Sequence, residues 1–504
     1  MLLSYHMAKQ ATLPDLPLLL CDTPPGLELG LLQEGVPFRK VADPHPLAFR
    51  GGRFVLFDSR RIPLATIRER ITHEHVAIDV DGFRRREPVD PFAALVDSRA
   101  GLSRWELPGV DVCERVGRHD KAAIRQRLID GIRERVSESG GIWARLAPFP
   151  FPYRSAFNFR ADLDETNLED YARFARARRR LSDCSTHFVS THAYGEHPAV
   201  MQDLLRFDTQ SHGHYHVIYR DPDANRRNLA RAHKLLVESG FEPLGFSAPH
   251  GRWNHGLDRV LEEFGYLYSS DFQLGYDDLP FYPWIGDRFS TVLQVPIHPV
   301  CEGIFFDAGL HRGREVADYL AGVVRAKIDA CEPAFVYGHP ERRLARHPEI
   351  LSALESEIAD RSLVWRITLT EFAIWWRWRM SREWSLMAKG EGRFEVQFED
   401  WDNAFPIGLE LVRGQHVSSL PLHGPRTSLH LGELAYERRT PRADIVMPTP
   451  ILRTVSLKAA VRSALDWETV TPLHELSTGT LTDRVKRGLR WWKHSREERE
   501  RMAS

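Results

Sequence analysis

The sequence predicts an α/β protein whose central segment forms a barrel-like sheet of parallel strands. Between residues 151 and 380, short apolar runs alternate with amphipathic stretches, as expected for strands joined by helical crossovers. The composition is that of a globular protein, since hydrophobic residues make up 42% of the 504-residue chain and charged residues 27%. A chain of this length is expected to fold into about three domains.

Changes along the chain predict three segments. Residues 1–150 mix short apolar runs with helical stretches, which favours a small α/β domain of undefined role. The proline-rich run LAPFPFPY at 146–153 marks a boundary. Residues 151–385 are then the central domain, and residues 386–504 are a β-rich accessory domain that ends in a charged helix from residue 483.

Within the central segment, apolar runs and capping residues predict the individual elements. Asp223 has the position of an N-cap for a helix that stops at Gly240, and Thr368 with Glu371 has the spacing of a capping box. The tryptophans that follow Thr368 are expected to pack in the core. Strands are expected at 156–159, 187–190, 244–246, 334–337 and 363–367.

Composition and absent motifs narrow the function classes. Lys and Arg (68) nearly balance Asp and Glu (69), so the chain has no basic field for nucleic acid or an anionic membrane. We find no apolar stretch long enough for a membrane span and no secretory signal, and therefore expect a cytoplasmic protein with reduced cysteines. Walker and G-x-S-x-G motifs are absent from the sequence, and the oligomeric state is not indicated.

Acidic and histidine side chains follow the predicted strands. Asp162 and Asp164 lie two residues apart after the strand at 156–159, so both carboxylates face one side. His212 and His216 have the spacing at which two imidazoles chelate one ion. His339 directly follows the strand at 334–337. The carboxyl ends of parallel strands are where α/β proteins build their sites, so these side chains are candidates for one site.

Taken singly, each motif also has a plain structural explanation. An isolated D-x-D is more often a solvated turn, and about one chance H-x-x-x-H pair is expected among 23 histidines in 504 residues. Together, Asp164, His212 and His216 form a ligand set suited to zinc, with cobalt, nickel or ferrous iron as alternatives. His214 is expected to have a structural role or to support the ligand residues without binding the ion itself. His339 is a candidate general acid because an unperturbed histidine titrates near neutral pH.

The order of these motifs resembles the polysaccharide deacetylases, the NodB-homology group of carbohydrate esterase family 4, over residues 151–380. The resemblance implies hydrolysis of an acetyl group from an acetylated sugar with the help of a divalent metal. It also implies a backbone N–H near Ala248 or His250 that stabilises the oxyanion. The residues it implies are Asp162 as general base, Asp164, His212 and His216 as metal ligands, and His339 as general acid.

One position departs from the family pattern. Ser247, in the segment SAPHG, stands where the third motif of the family has an arginine that orients the base. We expect Arg160 or Arg252 to supply this charge from another direction. Two other functions stay open: a non-catalytic carbohydrate-binding protein on the same fold, motivated by Ser247, and a metal-dependent hydrolase of another non-peptide C–N bond, since a fold does not fix a substrate.

Overall fold

The computed structural model describes residues 13–42, 46–107, 110–307, 312–443, 445, 449 and 450, together with 481, 484, 485 and 488. The predicted charged helix from residue 483 lies almost entirely outside the described residues. None of the described helices combines the length and the apolar character that crossing a membrane requires.

Helices and strands alternate along most of the described chain. The strands, β1 to β22 in chain order, are Leu18–Cys21, Phe38–Lys40, Phe54–Phe57, Val76–Asp79, Ala100–Leu107, Val110–Gly117, Ala144–Leu146, Ser155–Leu163, Ser185–Val189, Asp208–Ser211, Gly245–Phe246, Tyr268–Ser269, Leu293–Gln294, Pro333–Gly338, Val364–Arg366, Trp384–Gly390, Arg393–Phe398, Ile407–Arg413, His416–Leu422, Arg426–His430, Glu437–Arg438 and Thr449–Pro450. The α-helices, α1 to α14, are Pro25–Glu34, Leu64–Arg68, Asp81–Arg84, Pro91–Val96, Lys121–Glu138, Leu168–Ala177, Thr191–Tyr194, Pro198–Leu204, Pro222–Glu238, His255–Glu263, Glu302–Asp307, Gly313–Asp329, Glu349–Ile358 and Leu369–Met380.

The chain divides into two compact units, each built from separate stretches. The first unit contains residues 1–96, 123–152 and 375–439, and the second contains 97–122, 153–374 and 440–504. In the first unit, β1 to β4 form a parallel sheet, β16, β17 and β20 an antiparallel one, and β7 joins the antiparallel sheet β21-β19-β18-β7. Strands from the first and third predicted domains therefore share one sheet. The division into three domains is not confirmed and stays a prediction.

The second unit contains the large parallel sheet. Its strands lie in the order β13-β12-β11-β10-β9-β8-β14, with β15 also pairing with β8, and every pair is parallel. All residues of β8, β9 and β14 are buried, as expected for a parallel sheet with both faces covered. The sheet curls into a half-barrel, which confirms the predicted α/β class and the parallel pairing.

Most predicted elements occur where the sequence places them, and one cap is wrong. Asp221, not Asp223, caps α9: its carboxylate accepts hydrogen bonds from the amides of Asp223 and Ala224 at 3.3 and 3.2 Å. Pro222 takes the first helical position, which suits its fixed φ and missing N–H, so the cap falls on Asp221, two residues earlier than predicted.

The capping box before α14 is confirmed. The Thr368 hydroxyl accepts from the amide of Glu371 at 3.2 Å and donates to its carboxylate at 2.8 Å. Trp375 and Trp376 are buried, in agreement with the predicted packing role.

Candidate active site

The carboxyl edge of the parallel sheet brings the predicted site residues together. Asp162 lies near the end of β8, and Asp164 directly follows that strand. His212 follows β10, and His339 follows β14. Because all these strands are parallel, their last residues meet at the same edge, and His216 reaches it from the turn after His212. Asp164, His212, His216 and His339 therefore lie in one place, and Asp162 lies two residues before Asp164 in the chain.

Asp164 lies within reach of both histidines of the predicted metal set. Its Oδ1 is 3.2 Å from Nε2 of His212, and its Oδ2 is 3.3 Å from Nε2 of His216. The three ligand atoms lie within 4.8 Å of one another. Oδ1 of Asp164 and Nε2 of His212 are buried and have no hydrogen-bond partner among the residues that the structure describes. Since buried polar atoms are normally paired, this donor set fits a bound cation.

Hydrogen bonds with neighbouring residues fix the orientation of the His212 ring and the turn that carries His216. Nδ1 of His212 lies 2.7 Å from the carbonyl oxygen of Ser247 at the end of β11, which leaves Nε2 as the free donor atom. The turn that carries His216 contains Gly213 with φ of 83°, a conformation that favours glycine. Asn228 of α9 holds this turn, because its side chain accepts from the amide of Tyr215 at 2.8 Å and donates to the carbonyl of the same residue at 3.1 Å.

The ionisation of Asp164 and His216 suits a cation site. Burial lowers the pKa of His216 well below its ordinary value, so the imidazole is neutral and keeps a lone pair for a metal. Burial alone would raise the pKa of Asp164, but the charge of His339 and the hydrogen bond with His212 favour its ionised form, and the pKa of this carboxyl lies well below its usual range. The group thus offers one carboxylate and neutral imidazole at neutral pH.

Arg160 holds the predicted general base. Its Nε donates to Oδ1 of Asp162 at 2.8 Å and its Nη2 to Oδ2 at 2.5 Å. Both side chains are buried, and Nη1 of Arg160 also donates to the carbonyl of Ser270 at 2.6 Å. Residues two apart on a strand face the same side, so β8 itself aligns the pair. Of the two arginines that the sequence proposed in place of the family arginine, Arg160 makes this contact.

Glu302 orients His339 and was missed by the sequence analysis. Its Oε1 accepts from the amide of His339 at 2.8 Å and lies 2.9 Å from Nδ1 of the same residue, so Nε2 points toward Asp164 at 3.6 Å. Burial opposes a charge on His339, but the carboxylates of Glu302 and Asp164 outweigh it and hold the pKa of His339 well above its ordinary value. Both carboxylates therefore favour the protonated form of His339. No local motif marks Glu302, which is 37 residues away in the chain.

Two further histidines border the site. Nδ1 of His214 lies 3.0 Å from the hydroxyl of Thr191, and its carbonyl accepts from Ser190 at 3.0 Å, which agrees with the predicted structural role. The ring of His250 packs edge-on against that of His216 at 4.8 Å between centroids. His250 has φ of 57°, so the backbone holds this residue in a conformation that non-glycine residues rarely adopt.

The expected oxyanion donor is corrected in part. The amide of Ala248 donates to Oδ1 of Asp271 at 2.7 Å, and Asp271 is buried with Ser269 bonded to its other oxygen at 2.5 Å. This amide therefore already has a hydrogen-bond partner within the fold. Of the two positions expected to stabilise an oxyanion, Ala248 is therefore wrong.

Among solved structures, those similar to this one include proteins described as polysaccharide deacetylases and as members of the CE4 family. No protein-family model matches the sequence, and no curated protein matches it. The structure is similar to a protein described as a polysaccharide deacetylase from Mycobacterium smegmatis, with 22% identity over 46% of this chain and 94% of that chain and a TM-score of 0.41. A second such protein, from Pseudomonas aeruginosa, has 20% identity over 46% of this chain and 94% of that chain and a TM-score of 0.39.

A third similar structure is a CE4 family pseudoenzyme from Bacillus anthracis. It has 11% identity over 44% of this chain and 66% of that chain, with a TM-score of 0.32.

Proposed function

We propose that the protein is a metal-dependent hydrolase that removes an acetyl group from an acetylated sugar or polysaccharide precursor. The observation that carries this proposal is the arrangement at the sheet edge. Three possible metal ligands lie beside an imidazole that a buried carboxylate orients, and a carboxylate held by an arginine lies two residues before Asp164 in the chain. Hydrolysis of an ester or amide needs these three parts: an electrophile, a base for water and an acid for the leaving group.

Each part has a residue that fits it. Asp164, His212 and His216 hold the divalent ion, for which zinc is the first candidate and cobalt, nickel or ferrous iron are alternatives. When bound, the ion supplies a Lewis acid next to the acetyl carbonyl. Asp162 accepts a proton from the attacking water, and the ion pair with Arg160 fixes the orientation of its oxygens.

His339 completes the reaction at the leaving group. Its Nε2 faces the cation site, and the proton held there passes to the departing amine or alkoxide. The products are acetate and a sugar with a free amine or hydroxyl. Glu302 keeps the ring in this orientation through Nδ1, so it acts as a positioning residue.

The case for a non-catalytic carbohydrate-binding protein rested on Ser247, which stands in place of the family arginine. The ion pair between Arg160 and Asp162 supplies the missing charge, and this weakens that alternative. Hydrolysis of a different C–N bond would use the same acid, base and cation. The test below therefore includes cyclic amides as substrates.

The test measures acetate release and metal content together. We expect the wild type to bind zinc or cobalt and to release acetate from at least one of a panel of N- and O-acetylated sugars. Asp164→Ala should lose both properties, because it removes the only carboxylate of the ligand set. Asp183→Ala, which changes a largely exposed aspartate, is the matched control. If the metal-loaded wild type cleaves cyclic amides but no acetylated sugar, the substrate class is wrong.

A further inference from the structure

A second group of possible metal ligands lies beside the proposed acid. Sγ of Cys301, a carboxylate oxygen of Glu302 and a ring nitrogen of His339 lie within 4.8 Å of one another. Cys301 is 3% exposed and Glu302 is fully buried. Oε2 of Glu302 has no hydrogen-bond partner in the described part of the chain. A buried, unpaired carboxylate oxygen next to a thiol and an imidazole is an arrangement that a bound cation would satisfy.

This group and the first ligand set lie on opposite sides of the His339 ring. Nδ1 faces Glu302 at 2.9 Å, whereas Nε2 faces Asp164 at 3.6 Å. The two sets therefore share no residue, although they are neighbours. The side chain of His339 is 16% exposed, whereas that of Glu302 is fully buried.

The donor atoms select the kind of ion. One sulfur, one nitrogen and one oxygen suit zinc or cadmium, since a thiolate prefers such ions to magnesium or manganese. On binding, the Cys301 thiol and Nδ1 of His339 each release a proton to solvent, and their lone pairs go to the ion. Oε1 of Glu302 and Nδ1 of His339, now 2.9 Å apart, must separate slightly to admit it.

We propose that Cys301, Glu302 and His339 form a second site for a thiophilic divalent ion, and that its occupation inhibits the hydrolase. The inhibition rests on the proposed function; the binding does not. An ion on Nδ1 takes the place of the Glu302 hydrogen bond that orients the His339 ring. Nε2 then loses the position from which it protonates the leaving group, so this step fails.

The test for binding uses the full chain and cobalt as the probe. Cobalt bound to a thiolate gives a charge-transfer band in the near ultraviolet, which oxygen and nitrogen ligands do not give. We expect this band in the wild type after the first equivalent is bound, and also in Asp164→Ala, which lacks the first site. Cys301→Ser and Cys301→Ala should both lose the band, whereas the control Cys331→Ser should keep it, because Cys331 lies before β14 at the opposite end of that strand from His339.

The test for inhibition compares each protein with itself at two zinc concentrations. Acetate release by the wild type and Cys331→Ser should fall about 10²-fold or more between one equivalent of zinc and a large excess, the size of effect that loss of a general acid produces. The Cys301 variants should lose much less over the same range. Magnesium in the same excess should not inhibit.

The outcomes separate the two proposals. The absence of a thiolate band in the wild type, or its persistence in both Cys301 variants, overturns the second site. A band that behaves as expected in a protein that releases no acetate from any substrate keeps the second site and overturns the proposed function. Equal inhibition of the wild type and the Cys301 variants by zinc would overturn the inhibitory role.

Discussion

At the scale of single residues, strand β8 aligns Arg160 with Asp162. The two side chains point the same way because they are two residues apart, and their ion pair is buried at the edge of the sheet. Removal of one partner from a buried ion pair destabilises the folded state, because the remaining charge is buried without a counter-charge and without water to solvate it. The orientation of the base therefore depends on Arg160.

We predict that Arg160→Met lowers both activity and stability. The free energy of unfolding should fall by about 3–5 kcal/mol, the typical cost of removing one partner from a buried ion pair. Measurements of kcat at saturating metal and of denaturant unfolding check this. Arg252→Met is the matched control, since the sequence offered Arg252 as the alternative. A loss of kcat in Arg252→Met with none in Arg160→Met would contradict the assigned role.

The sequence predicted the site residues themselves better than the residues that orient them. Asp162, Asp164, His212, His216 and His339 stand in recognisable local patterns directly after predicted strands. Glu302 does not, because its partner His339 is 37 residues away and only the fold brings the two together. The choice between Arg160 and Arg252 likewise required the structure.

At the scale of elements, a charged cluster joins the loop after β12 to helix α12. Asp277 accepts from His298 at 2.6 Å and lies 3.2 Å from the ammonium group of Lys327. Burial would raise the pKa of Asp277, but His298 and Lys327 outweigh it and hold this pKa well below its ordinary value. The carboxylate therefore stabilises the folded state wherever it is ionised.

We predict that Asp277→Asn removes a pH-dependent part of the stability. A depressed carboxyl pKa contributes stability that is fully present above the unfolded pKa, about 4, and is lost as the pH falls toward the folded pKa. The wild type should therefore be more stable than the variant at neutral pH, and the gap should narrow below about pH 5. Denaturant unfolding across pH tests this. Asp318→Asn, exposed on α12, is the control. A gap that stays constant with pH would contradict the role of Asp277.

Strands with an apolar run were predicted, and strands without one were missed. The five predicted strands of the central segment correspond to β8, β9, β11, β14 and β15. β10 was missed because its sequence, DTQS, is polar, and β12 and β13 have only two residues each. Parallel pairing with neighbours, rather than local pattern, makes these residues strands.

At the scale of the whole molecule, the sequence predicted the parallel sheet more directly than the division into domains. Alternating strands and helices predicted a barrel-like sheet of parallel strands, and the sheet is a parallel half-barrel. Composition did not predict that β7 would complete a sheet with β18 and β19, because such pairing joins residues far apart in the chain.

The most direct test of the account compares acetate release by metal-loaded wild type and Asp162→Asn on the best substrate of the panel. The variant keeps all three metal ligands, so it should bind metal as the wild type does. Without the base, kcat should fall by about 10²–10⁴-fold. Equal kcat in the two proteins, or no acetate from any substrate by metal-loaded wild type, would contradict the claim that this sheet edge is a hydrolytic site.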